Sequence, residues 1–201
     1  MVSPYEKCPI YENENYLLRL VEATDASDLL QVYSDEKAVP YFNSDNCNGD
    51  DFHYTTLERM QSAIEFWLWA YQDKGFVRWA IIDKKVQQAM GTIELFNRGG
   101  NDQGQDSQSA PKDYFNNCGL LRLDLRSDYE RRDSIQQILS LIVPPAFELF
   151  ACRMIATKVP PFATQRRAAA EQLGFAASEE KLIGGDDPKV YTDYYVLHAG
   201  K

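Results

Sequence analysis

The chain has 201 residues, 44% of them hydrophobic, and a formal net charge of -9. That length buries a sizeable core and fits a single domain over 1–201, while the acidic balance excludes a general nucleic-acid binder, since neutralising phosphates needs a basic face. No stretch approaches the roughly 18 apolar residues of a membrane span, the polar start MVSPYEKCPIYENENY is no secretion signal, and Cys8, Cys47, Cys118 and Cys152 lie far apart with only His53 and His198 as histidines; a soluble cytoplasmic protein without metal site or disulfide framework is expected.

The run YLLRLVE at 16–22 reads as a strand, and Thr24 and Asp25 offer oxygens to cap a helix through about Ser34. A polar loop with Asn43, Asn46, Asn48 and Gly49 follows. Leu57, Met60, Ile64, Trp67, Leu68 and Tyr71 then recur at helical spacing until Gly75. From Phe76 the period changes. VRWAIID and AMGTIELF, separated by the polar turn Lys84 to Gln88, predict a hairpin. The segment 97–117 is rich in Gly, Asn, Asp, Gln and Ser without periodicity and predicts a flexible loop.

GLLRLDLR alternates strictly, placing Leu121, Leu123 and Leu125 on one face and Arg122, Asp124 and Arg126 on the other, as in a half-buried strand. A helix begins near Ser134, meets Pro144 and Pro145, which should kink or restart it, and continues as AFELFA. RMIATK predicts a strand, TQRRAAAEQLGF a helix closed by Gly174, and KVYTDYYVLHA a terminal strand. An exposed, Tyr-rich terminal strand and the sheet edges would suit a homodimer.

LLRLVEATDASDLLQVYSDEKAVPYF, DKGFVRWAIID, MGTIELF, LRSDYERRDSIQQIL and AAAEQLGF, in that order over residues 16–176, resemble the GCN5-related N-acetyltransferases, and within them the branch that acetylates ribosomal-protein N-termini. The resemblance implies an α/β fold: a mixed, mostly antiparallel sheet with flanking helices. It also implies that the strands at 121–126 and 153–158 splay apart to admit the pantetheine arm of acetyl-CoA. The backbone around Leu123, Leu125 and Arg126 would line that opening. The family's phosphate-wrapping loop, Q/R-x-x-G-x-G/A, falls on Glu130 to Ile135, so Arg131, Arg132, Asp133 and Ser134 become the cofactor-side candidates. Both glycines are replaced. Asp133 and Gln136 form a capping-box pattern that sets a carboxylate among the amides, and Arg131 and Arg132 read either as phosphate ligands or as solvated charges.

Acyl transfer to an amine needs a base for the amine proton and an acid for the departing thiolate. Glu94 is the first candidate for the base and Asp124 the second. The family's acid positions fall on Arg166 and Ala170, neither of which can serve, with Tyr129 and Ser134 as neighbours in sequence. The resemblance builds the acceptor pocket from the first two helices and their loop, here Tyr41, Phe42, His53, Tyr54, Trp67, Trp69 and Tyr71. The expected activity is acetyl transfer from acetyl-CoA to a small amine or a protein N-terminus. The competing expectation is a non-catalytic domain of the same fold that binds another ligand or a protein partner.

Overall fold

The computed structural model describes residues 3–42, 45, 50–99, 114–183 and 189–200. Apolar runs of period two become strands and stripes of period 3.6 become helices. In chain order the elements are β1 (Tyr11–Glu12), β2 (Tyr16–Leu20), α1 (Ala26–Tyr33), α2 (Leu57–Gln72), β3 (Val77–Asp83), β4 (Gln88–Arg98), β5 (Cys118–Leu125), α3 (Arg132–Leu149), β6 (Met154–Lys158), α4 (Thr164–Gln172), β7 (Ala176–Ala177), β8 (Leu182–Ile183), β9 (Val190–Tyr191) and β10 (Tyr194–His198). One sheet runs β1-β2-β3-β4-β5-β6-β10-β7, and β8 with β9 forms a separate hairpin. Every described pairing is antiparallel except that of β5 with β6. A parallel pair requires a crossover, which α3 supplies.

The sheet lies between two layers. On one face Trp79, Ile81, Ile93, Leu95, Leu123 and Leu125 pack with Ile135, Ile138 and Ile142 of α3 and with Ala169 of α4. Alternate residues of the same strands turn to the other face, where Ala80 and Ile82 meet Leu29 and Val32 of α1 and Met60, Ile64 and Trp67 of α2. Thr56 caps α2 by accepting the Arg59 amide at 3.2 Å, a bond typically worth about 1 kcal/mol. No helix among the described residues is long and apolar enough to cross a membrane.

β5 and β6 pair from Cys118↔Met154 to Leu121↔Thr157 and no further. β5 continues to Leu125 with β4 as its ladder partner. The two strands expected to splay therefore form a fork that opens beyond Leu121, toward the start of α3.

Several local expectations are corrected. Helix α3 runs unbroken through Pro144 and Pro145. The prolines deprive the Ser140 and Leu141 carbonyls of their helical donors, but Ser140 and Pro144 are exposed, so that side of the helix is hydrated. Thr24 does not cap α1; Asp25 instead accepts the Glu22 amide at 2.8 Å and pairs with Arg19 at 2.6 Å. Of the expected loop, Asn97 and Arg98 extend β4 and Phe115 is fully buried beside Tyr194, whereas 100–113 lies outside the described residues. The terminal strand is no edge. β10 lies between β6 and the two-residue β7, and Tyr194 is only 1% exposed, so the expected exposed edge is not formed by this strand.

Candidate active site

The face of the sheet beneath α1 and α2 carries charge where alternation alone suggests a solvated surface. Arg78, Glu94 and Arg122 occupy facing positions on β3, β4 and β5, and Thr92 faces Asp124 in the next row. Arg78, Glu94 and Asp124 are each at most 3% exposed. Charges so buried persist only when paired and hydrogen-bonded. Arg78 Nε donates to Glu94 Oε2 at 3.0 Å, and Arg122 Nη1 donates to Glu94 Oε1 at 2.6 Å, so both Glu94 oxygens accept from a guanidinium. Arg122 Nε also donates to Asp45 at 2.7 Å, and the Tyr194 hydroxyl donates to the same carboxylate. Arg78 lies 4.3 Å over the Trp67 ring, a cation–π contact from α2.

Asp124 differs from Glu94 in one respect. Its Oδ2 accepts from the Tyr33 hydroxyl at 2.8 Å and from Arg78 Nη1 at 3.2 Å, but its Oδ1 is buried without a hydrogen-bond partner among the described residues. Burial pushes the Asp124 carboxyl above its ordinary 3.8, against the lowering effect of Arg78 and of the Tyr33 hydrogen bond. Burial likewise raises Tyr33 well above its ordinary value. The chain beside Asp124 is packed tightly: a Cβ on Gly91 would stand 2.2 Å from the Asp124 carbonyl oxygen.

A cavity of about 600 Å³ opens over this floor, reaching Arg78, Glu94 and Arg122 at its base and Tyr54, Phe66, Trp69 and Phe96 on its walls. That volume lies within the range of small-molecule sites. At the open end of the fork, Arg166 of α4 donates through Nε to Glu130 at 3.0 Å, and also through Nη2. Its Nη1 donates to the Tyr41 carbonyl on the turn after α1. One side chain thus ties the entry to α3, the helix α4 and the α1 layer together.

At the start of α3, Arg131 is the N-cap residue without a capping side-chain bond. The Arg132 amide is satisfied by Gln165 Oε1 at 3.1 Å. Asp133 does not form the expected capping box. Its carboxylate, 76% exposed, pairs with Arg132 at 3.1 Å, because the helix starts at Arg132 and leaves Asp133 inside the first turn rather than at the cap.

The family model for the acetyltransferase (GNAT) domain matches residues 15–176, the fork and the charged floor included. The chain belongs to the GNAT acetyltransferase family. Among curated proteins it is 26% identical over 85 residues to the uncharacterized N-acetyltransferase YoaA of Bacillus subtilis (strain 168), a match spanning 42% of this chain and 44% of that relative. Solved structures share its fold. The ribosomal-protein-S5-alanine acetyltransferase from Vibrio fischeri superposes with a TM-score of 0.63 at 15% identity, covering 96% of this chain and 98% of that one. RimJ of Mycobacterium smegmatis, in complex with CoA-disulfide, does so with a TM-score of 0.66 at 14% identity, covering 95% and 86%.

Within this GNAT fold the sequence candidates separate into groups. Glu94 and Asp124 come together on one floor, linked through Arg78. The Leu123 and Leu125 side chains point away from it into the α3 core, and Arg126 pairs with Asp128 at 2.7 Å. Ser134 is half-buried in the first turn of α3, beside exposed Arg131 and Arg132. Ala170 is buried in the core. The Tyr129 hydroxyl donates to Asp83 at 2.9 Å, and burial with that bond pushes it up to about 12. Of the aromatic candidates, Trp67 is core at 3% exposure and Trp69 lines the cavity at 57%. His53 is half-buried in the loop before α2, and His198 lies 3.5 Å from the Tyr114 hydroxyl on β10.

Arg78, Arg122, Tyr33 and Asp45 were not foreseen as site residues. The signal for Arg78 was a lone charge within the apolar VRWAII, ahead of Asp83 at the strand's end, a position that demands a buried partner. Nothing local marked Asp45.

Proposed function

We propose that this chain transfers the acetyl group of acetyl-CoA to a primary amine, with Asp124 as the group that takes the amine proton. The observation that carries the reading is the fork: β5 leaves β6 at Leu121↔Thr157 and carries Asp124, with its unpartnered Oδ1, into the opened half. Backbone groups on the β6 side of Arg122 to Leu125 have no ladder bond to β6 there, which suits the amides of a pantetheine arm. Arg131, Arg132 and the first turn of α3, Asp133 and Ser134 included, stand next along the chain to meet its phosphates by charge and by helix-end amides.

In the reaction the amine lone pair attacks the thioester carbonyl carbon, the C–S bond breaks, and its electron pair leaves on the CoA thiolate. The amine proton passes to Asp124. Asp124 keeps one carboxylate oxygen without a partner among the described residues and so can accept a proton, whereas both oxygens of Glu94 are bonded to arginines, which holds the floor rigid. A good thiolate leaving group tolerates the absence of an acid at Arg166 and Ala170.

The acceptor is a small amine or a protein N-terminus entering the cavity above Glu94; Asp124 is not part of that cavity's lining and is joined to it through Arg78, which bonds both carboxylates. The acidic charge of -9 supports a cationic partner over a nucleic acid, and a cytoplasmic location accords with free thiols at Cys8, Cys118 and Cys152. The reading is tested by a thermal-shift titration with acetyl-CoA followed by a thiol-release assay over a panel of amines. A melting temperature that rises with ligand and CoA release that requires an amine support it. No shift at millimolar acetyl-CoA favours a non-catalytic binding domain of the same fold.

A further inference from the structure

The cavity over Glu94 is walled by rings. Phe66 and Trp69, one turn apart on α2, stack at 5.8 Å with planes 29° apart, and Phe66 meets Phe76 at 6.3 Å. All three line the cavity. Yet Phe66 and Trp69 remain 54% and 57% exposed. Scattered surface aromatics are ordinary, but contiguous rings along one wall of a concave site leave apolar area that a bound ring would remove from water.

The arginines of the same cavity are each paired, while Asp73 at its rim has no ion pair among the described residues. Arg59 pairs with Asp50 at 2.7 Å, and Arg78 and Arg122 pair with Glu94. No lining arginine stands without a carboxylate, so the site offers little to an acceptor that brings its own, such as a free amino acid. What remains for recognition is the aromatic wall, and for orientation the polar floor.

Resting on the acetyl-transfer reading, we infer that the acceptor is a primary amine carried on an aromatic ring by a short alkyl arm. The ring packs on the Phe66, Trp69 and Phe76 wall and the amine turns to the floor. Two sources share this chemistry: a free arylalkylamine, and a peptide whose N-terminal residue is aromatic.

The test is calorimetric titration of the full chain with phenethylamine and with n-butylamine, with and without saturating CoA. Phenethylamine is expected to bind roughly tenfold more tightly, the size of a good ring–ring contact. Trp69→Ala should bring that ratio close to one while leaving the melting temperature unchanged, since the side chain is mostly in solvent; Phe66→Ala is the second variant. Equal affinities in the wild type, or a preference that survives both substitutions, overturns the inference. Titrating Phe-Gly-Gly amide against Ala-Gly-Gly amide assigns the source: a peptide preference larger than that for phenethylamine points to a chain N-terminus, a smaller one to a free amine. Ring preference without acetylation of any amine sustains the pocket and refutes acetyl transfer. Equal binding and equal acetylation of phenethylamine and butylamine do the reverse.

Discussion

The Tyr33 hydroxyl donates to Asp124 Oδ2 at 2.8 Å, so α1 reaches down to the sheet and fixes one oxygen of the carboxylate while the other has no partner among the described residues. This arrangement gives Asp124 a pH signature in stability. Its folded-state value is raised, so the folded chain holds the proton more tightly than the unfolded one. The stabilising contribution is complete below the ordinary 3.8 and is lost as pH rises through the raised value. Asp124→Asn removes that loss. The melting-temperature difference, variant minus wild type, should therefore increase as pH is raised from about 4 toward 7; a difference that stays flat or falls contradicts it.

Arg78 neutralises Glu94 and Asp124 together at 2% exposure. Arg78→Met should cost about 3–5 kcal/mol, because two carboxylates are left buried with less compensation. Urea unfolding monitored by Trp fluorescence measures this, and a cost below 1 kcal/mol would mean that the network contributes little.

The fold was legible in the sequence to the extent that apolar spacing dictates it. Leu121, Leu123 and Leu125 do form one face of β5, and Ile64 and Trp67 do face the core. The polar face misled. Arg122 and Asp124 read as solvated, and they are buried because α1 and α2 cover that side, a fact of tertiary packing that no strand pattern contains. Asp133 misled for a local reason: the helix began two residues earlier than the capping pattern required, which turned a cap into an exposed ion pair with Arg132. Both carboxylates named for catalysis were visible as charges on strands; only the arginines beside them distinguish a held group from an available one.

Glu94→Gln separates the two carboxylates by function. Its partners Arg78 and Arg122 lose a charge, so stability should fall by about 3–5 kcal/mol. The residual acetylation should keep the wild-type pH profile, because Asp124, the proposed proton acceptor, is intact. Loss of the acid limb in the Glu94→Gln profile would return the base to Glu94.

Asp133→Asn tests the phosphate end. The carboxylate is exposed and pairs with Arg132, so its removal should change the melting temperature by no more than about 2 °C. It should also release Arg132 and tighten CoA a few-fold at low salt, where screening is least. Calorimetry checks both halves, and weaker CoA binding by the variant would show that Asp133 supports the site.

Gly91 is held close to Asp124 by backbone contact. Gly91→Ala should cost about 1–3 kcal/mol through overpacking. Because the strain falls on Asp124, the proposed base, turnover should drop further than the stability loss accounts for. An active, stable Gly91→Ala protein would show that β5 can shift without consequence.

The most direct test of the account is the pH dependence of amine-dependent CoA release for the wild type and Asp124→Asn, measured with the best acceptor found. The wild-type rate should rise with pH along an acid limb as Asp124 ionises, and the variant should lose that limb and fall by about 10²- to 10⁴-fold in kcat. An Asp124→Asn enzyme with the wild-type rate and profile would contradict the assignment.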